Sequence, residues 1–262
     1  MKRRLNLALA LVGLLAVAVV GQAAAERSQK GNVQVSLNGG FSPRKLPRNE
    51  KAPVVVRLSG GVRTADAAPL PRVNRLKLEL GWRGRMNTRG LPVCPAARLR
   101  GLASGQALAA CGPSQVGLGN LNAKIFLPGQ LPFDVKANLL AFNGRTKVGR
   151  RAVLLHAYTS DPPVSFLIPF VVRRSDGLFK TTLVTTIRRA VGTWPHVARF
   201  RIEVGRTFRR EGEEQSYLNA SCPVPQGFTA APFSFARATY TFAGGDEQST
   251  ESVRGCRVRK GT

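Results

Sequence analysis

Apolar side chains recur at every second position through much of this chain. In 197–204, Phe200, Ile202 and Val204 share one face while Arg199, Arg201 and Glu203 share the other, the mark of a strand with one wet face. Residues 75–80 repeat it, with Leu76, Leu78 and Leu80 opposite Arg75, Lys77 and Glu79. Leu121, Ala123, Ile125 and Leu127 align in the same way, 128–132 carries turn residues, and Phe133, Val135, Ala137, Leu139 and Ala141 resume the pattern, which predicts a hairpin. Two runs, 152–158 and 164–172, are apolar on both faces and are expected to cross the centre of the sheet, joined by a turn at 159–163. In 233–242 the phase slips, Phe233 and Phe235 being odd and Tyr240 and Phe242 even, so a bulge is expected near Arg237. Gly244, Gly245 and Asp246 then turn the chain into a last strand ending at Cys256.

A single region has helical character. Pro95 opens one short turn and Ser104 is placed to cap a second, 104–110. About a dozen strands separated by turn residues, with one helical insertion and no internal repeat, predict an all-β chain. The expected fold is a single β-sandwich over 51–260, a jelly roll being among the topologies open to it. Residues 26–50, polar and proline-containing, are expected to be only partly ordered.

The first 25 residues break the alternation. Three positive charges in residues 1–4 precede an apolar run, 5–21, and a close of small residues ending at Ala25. This is the layout of a secretory signal peptide, with cleavage expected after Ala25. Retention of the run as an uncleaved anchor is the alternative. No later stretch is long and apolar enough to span a bilayer as a helix, so no transmembrane segment is expected in the mature chain. The expected location is therefore extracytoplasmic, secreted or bound to the cell envelope.

Export changes how the cysteines and the charge are read. Four cysteines in an exported chain predict two disulfides; of three connectivities, Cys94 with Cys111 and Cys222 with Cys256 is preferred, because each pair brackets a compact local unit. A metal site is disfavoured, since there is no Cys-x-x-Cys and His156 and His196 lie far from any cysteine in sequence. The chain carries 40 Lys and Arg against 14 Asp and Glu, and without the leader its net charge is about +23. Such a balance points to phosphate-rich or acidic polymers and anionic lipid surfaces. Arg outnumbers Lys 30 to 10, as a GC-rich genome would produce without selection for function. Nucleic acid is not expected as the physiological partner, because export removes it and aromatic residues are not interleaved with the basic ones.

Catalytic patterns are missing: there is no Gly-x-Ser-x-Gly, His-Glu-x-x-His or phosphate-loop sequence. No catalytic residue and no cofactor are therefore expected. Glu79 and Glu203 lie on wet faces among arginines and are expected to be ion-pair partners, while Asp134 and Asp161 suit a strand start and a turn. Gly117 and Gly119 lack the strand-to-helix context of a dinucleotide site. The acidic turn 244–251 lacks the ligand spacing of a calcium loop. His156, on a central strand, is expected to be a buried neutral imidazole; the enzymatic alternative is a hydrolase centred on it. A carbohydrate-binding sandwich, the other alternative, would need an aromatic platform built from Trp82, Trp194 and a few tyrosines.

Several motifs carry a resemblance: Phe41-Ser-Pro-Arg-Lys-Leu-Pro-Arg48, Leu91-Pro-Val-Cys94 with Ala110-Cys111, Val116-Gly-Leu-Gly119, Leu139-Leu-Ala-Phe-Asn-Gly144, Leu154-Leu-His-Ala-Tyr158 and Tyr217-Leu-Asn-Ala-Ser-Cys222. Together they resemble a family of uncharacterised secreted proteins of high-GC Gram-positive bacteria. The resemblance implies export and assigns no activity or functional residue.

One cluster merits a site expectation. If 152–158 and 164–172 pair antiparallel about the 159–163 turn, facing positions sum to about 323, and Arg150 and Arg151 fall beside Arg173 and Arg174. Arg145 and Lys147 join them at the same end, with Asp176 as the nearby acid. Arginine grips phosphate and carboxylate in a bidentate fashion. These six cations are therefore the candidate anion-binding site, for an envelope polymer or lipid head groups, in a protein expected to bind rather than catalyse.

Overall fold

The computed structural model describes residues 26–66, 68–81, 83–126, 129–187, 195–222 and 224–259. The expected leader, 1–25, lies outside them, as do Trp82 and Trp194. Among the described residues the fold is all-β with one helical insertion, as the alternation predicts. The N-terminal third holds β1 (Glu26–Lys30), β2 (Val33–Ser42), β3 (Lys45–Leu46), β4 (Ala52–Pro53), β5 (Val55–Thr64), β6 (Val73–Gly81), β7 (Gly84–Met86) and β8 (Cys94–Pro95). After helix α1 (Ser104–Cys111) come β9 (Gln115–Ile125), β10 (Phe133–Arg145), β11 (Arg151–Ser160), β12 (Pro163–Arg174) and β13 (Phe179–Thr186). The last third adds β14 (Pro195–Val204), β15 (Thr207–Arg210), β16 (Glu213–Ser216), β17 (Leu218–Ala220), β18 (Ala230–Phe242) and β19 (Glu247–Val258).

One long sheet makes both layers of the sandwich. Its order is β1-β2-β5-β14-β9-β10-β11-β12-β13-β6-β18-β19-β3, with β8 also paired to β10. The run β9 to β13 is a simple meander, because each strand is followed by a short connection to its antiparallel neighbour. The sheet then curls until its two ends meet, and β19 comes to lie beside β1 and β2. The buried face of β19 is mostly polar at this seam: Gln248, Thr250, Ser252 and Arg254. Thr250 Oγ1 donates to the Glu26 carbonyl at 2.9 Å and the Val253 amide to Glu26 Oε1 at 2.7 Å. Arg254 donates to the Gly39 carbonyl and to Asn38 Oδ1. Side chains thus join two edges where no backbone ladder forms.

The curl encloses the main core, in which Leu58, Ile202, Leu183, Val153 and Tyr240 are buried together. Residues 152–158 and 164–172 form neighbouring strands near the middle of the sheet, as expected, and the reason for their two-sided apolarity is visible. Val153 and Leu155 belong to the interior, whereas Ala152 and Leu154 pack outward against Leu99 and Ala107 of the insertion. Both preferred disulfides are present, Cys94–Cys111 and Cys222–Cys256, each with its Cα atoms 5.7 Å apart.

Four local expectations differ from the structure. Residues 26–50 supply β1 and β2 to the main sheet, with Val35 and Leu37 fully buried; alternation at 33, 35 and 37 outweighs the polar composition around it. The cap of α1 is Ala103, whose amide donates to Gln106 Oε1 at 2.9 Å, so the reciprocal half of a capping box does the work expected of Ser104. The bulge falls at Phe235, where the β18–β19 register shifts between Ser234 and Ala236. Glu79, expected on a wet face, is only 8% exposed, because Arg237 of the paired strand β18 folds across it.

Candidate functional site

The β11–β12 register is the one the sequence implies: Ala152 faces Val171 and His156 faces Leu167. Arg145 faces Arg151 across β10–β11, and Arg173 and Arg174 end β12 opposite Thr182 and Thr181 of β13. All six expected cations therefore stand at one end of the sheet. They do not all share one cavity. Arg151, Arg173 and Arg174 line a cleft of about 390 Å³ together with Lys51, Arg85 and Lys180. Arg145, Lys147 and Arg150 sit outside it on the β10–β11 turn, where Arg145 Nη1 donates to the Gly149 carbonyl at 3.1 Å and the Arg150 amide to Thr146 Oγ1 at 3.2 Å.

The cleft assembles from four separate parts of the chain. Lys51 precedes β4, Arg85 lies in β7, Arg151 opens β11, and Arg173, Arg174 and Lys180 flank the β12–β13 turn. Strands β4, β17 and β7 form a small separate sheet, in which Asn219 faces both Pro53 and Arg85. That sheet carries Lys51 and Arg85 to the β12–β13 end. Arg151 is held there by Nη2, which donates to Thr88 Oγ1 at 3.2 Å. Ser175 secures the turn by bonding the Phe179 carbonyl and Thr182 Oγ1.

Among the described residues lining the cleft, Asp176 is the single acid, and it is fully exposed, 3.8 Å from Lys180. A pair so exposed neutralises little. Partial desolvation, with the guanidiniums of Arg85 and Arg83 nearby, holds the Lys51 ammonium below the usual lysine range. Like charges crowded in this way are relieved by an anion that accepts hydrogen bonds from several of them at once.

Behind the cleft lies an apolar interior that is not closely packed. A cavity of about 130 Å³ is walled by side chains such as Leu58, Leu78, Val153, Leu155, Phe170 and Ile202. A void of this size costs a close-packed core roughly 3 kcal/mol in lost contacts. Two smaller cavities share its walls, one of about 60 Å³ through Val56, Leu80, Met86 and Leu218, and one of about 20 Å³ through Leu121, Ile168, Ile187 and Val197. Met86 lines the central cavity, the 60 Å³ cavity and the cationic cleft. Nothing in the alternation pattern signals these cavities, since the same apolar positions would serve a solid core.

The other titratable candidates have structural occupations. His156 is fully buried; its Nε2 lies 2.9 Å from the Leu102 carbonyl and 3.2 Å from Ser165 Oγ. A nitrogen facing a carbonyl carries the proton, so Nε2 donates to Leu102 and cannot take a proton from Ser165. Burial also lowers the His156 pKa, against the pull of the Leu102 bond. Glu203 pairs with Arg57 at 2.5 Å and Asp134 with Lys124 at 3.1 Å. At the 244–251 turn, Asp246 pairs with Lys30 at 2.8 Å and Glu247 accepts from Thr241 at 2.8 Å. Gly117 and Gly119 lie in β9, where a Cβ would meet the carbonyl oxygens of Glu203 and Arg201 at 2.3 and 2.1 Å; these glycines allow close approach of β14. The aromatic platform imagined from Trp82 and Trp194 falls outside the described residues.

Among the described residues no helix is long and apolar enough to cross a membrane. Comparison with known protein families, curated proteins and solved structures finds no match to this chain.

Proposed function

We propose that this chain is an exported, non-enzymatic binding protein that associates with anionic groups of the cell envelope, phosphates or carboxylates of a polymer or of lipid head groups. The observation that carries the reading is the gathering of Lys51, Arg85, Arg151, Arg173, Arg174 and Lys180 around one opening, with Asp176 as the only acid among its described lining residues. Three of these are among the six cations expected from the sequence; Lys180 joins them from the start of β13, and Lys51 and Arg85 arrive from parts of the chain distant in sequence. A basic leader followed by an apolar run, and two disulfides, support assembly outside the cytoplasm. Several guanidiniums around one opening can present parallel N–H pairs to an oxyanion, and the net positive charge draws such groups in from a distance.

Co-sedimentation with phosphatidylglycerol-containing vesicles, and retention on immobilised polyphosphate, test this reading. Retention is expected to fall steeply between about 50 and about 500 mM salt. The double variant Arg173→Glu/Arg174→Glu should weaken retention at least about tenfold. Arg98→Glu/Arg100→Glu makes the same charge change on the exposed face of the insertion and should cost much less. Equal losses in the two variants would show that overall charge, and not the cleft, does the binding.

A further inference from the structure

The cationic cleft and the apolar interior share a wall. Met86 and Thr181 line both the cleft and the 60 Å³ cavity, and Met86 also lines the central one. Tyr217 ties them a second time: it lines the central cavity, and Arg151 of the cleft is close enough to act electrostatically on its phenol, pulling down a pKa that burial raises. The surface that the central cavity presents is wholly apolar, as a hydrocarbon chain requires.

We infer that the cleft is the mouth of a binding site for a single-chain anionic amphiphile, whose oxyanion head lies among Arg85, Arg151, Arg173, Arg174 and Lys180 while its alkyl chain passes Met86 into the apolar interior. This rests on the anion-binding reading above and adds the chain to it. A fatty acid and a monoalkyl phosphate share the required chemistry. The interior fits one chain and not two, because its cavities form a row, the outer two being much smaller than the central one. Scaled from a cavity of about 150 Å³ that takes a six-carbon ring, the three together hold roughly eight carbons, the rest of a longer chain lying at the mouth beside Met86. Methionine suits the boundary position, since its unbranched side chain adapts to different contours. Filling the interior with hydrocarbon restores the contacts that the void forgoes, and the head is held by charge-assisted hydrogen bonds at the rim. The arrangement is that of a ligand pocket with an apolar body and a few convergent polar groups at one end.

Calorimetric titration of the disulfide-bonded chain with decyl phosphate, inorganic phosphate and decanol, each below its aggregation concentration, decides the point. Decyl phosphate is expected to bind at least about tenfold more tightly than either of the others. Leu78→Phe, which fills the central cavity, should remove that advantage and leave phosphate binding unchanged; Val153→Ile is the milder variant if the first does not fold. If decyl phosphate and phosphate bind alike, the chain site is overturned and the anion-binding reading stands. If decanol binds as tightly as decyl phosphate, the cavity takes a chain but the cationic mouth does not hold its head, and the inference fails together with the role of the cleft. Binding of none of the three overturns both.

Discussion

Glu79 is the residue whose environment departs most from its place in the strand pattern. Its carboxylate accepts from Arg237 Nε at 2.8 Å and lies 3.3 Å from Lys77 Nζ, while the Arg237 guanidinium stacks 4.6 Å from the Phe179 ring centroid. Burial raises its pKa, and the two cations outweigh that, so the folded-state pKa lies below the ordinary glutamate value. A depressed carboxylate contributes stability that is present above its unfolded pKa and lost as pH falls through the folded one. Glu79→Gln is therefore expected to cost about 1–2 kcal/mol near neutrality, and to make the decline in stability between about pH 7 and pH 3 shallower than in the parent. Urea denaturation across that range measures it; parallel pH profiles in the two proteins would refute the assignment. The alternation of 75–80 with basic neighbours made the pairing of Glu79 legible. Its burial was not, because that depends on which side chain of the adjacent strand folds over it. His156 was more readable, since a histidine within a run apolar on both faces has few alternatives to a buried neutral ring.

At the scale of elements, the insertion between β8 and β9 covers the outer face of β10 and β11. The Cys94–Cys111 bridge closes the segment that includes the turn over Ala96–Leu99 and helix α1. Leu99 and Ala107 cover Leu140, Phe142, Ala152 and Leu154 on the outer face of the sheet. An eight-residue helix is too short to be stable alone, and this one is held by its packing and by the bridge. Replacing both cysteines with serine is expected to cost roughly 3 kcal/mol in the chain-entropy model. It should also speed hydrogen exchange in 104–111 ahead of β12 and β13, as mass spectrometry can follow; a uniform change across the chain would mean that the insertion is not a separable unit. The hairpin 159–163 and its register were legible because alternation and turn residues are local. The bulge was legible in kind, as a phase slip between Phe235 and Tyr240, but it fell at Phe235 because register is settled by the partner strand.

At the scale of the molecule, the curl of the sheet decides whether there is an interior at all. Arg254 is buried at the seam and bonds Gly39 and Asn38 of β2 and the carbonyl of Val253. Desolvation lowers its pKa, and Glu26 is the carboxylate whose charge opposes that effect. Arg254→Met keeps much of the volume but leaves acceptors on β2 without a donor. It is expected to cost roughly 2–4 kcal/mol, read as a lower denaturation midpoint, whereas a neutral result would show that apolar contacts alone hold the seam. Separating β2 from β19 would also open the wall around Tyr240, whose hydroxyl donates to the Ser36 carbonyl at 3.2 Å.

What the sequence by itself determined is therefore local: that the chain is built of alternating strands, which way most of the side chains in the central ones face, and that 152–158 and 164–172 pair with facing positions summing to 323, with one of three cysteine pairings preferred for its short loops. Each follows from a period of two or from a short chain separation, where geometry leaves few choices. The all-β class and the basic end of the β11–β12 hairpin belong with these. Only the tertiary structure decided that Lys51, Arg85 and Lys180, and not Arg145, Lys147 and Arg150, share a cleft with Arg151, Arg173 and Arg174. Pairing of β13 with β6, and of β17 with β4 and β7, links residues about a hundred or more apart, and a pattern of faces does not say which strand lies beside which. The apolar interior is likewise a property of the distance between walls. Alternation marks Leu58, Leu78, Val153 and Ile202 as inward, but whether they touch or enclose a cavity is settled by how tightly the sheet curls.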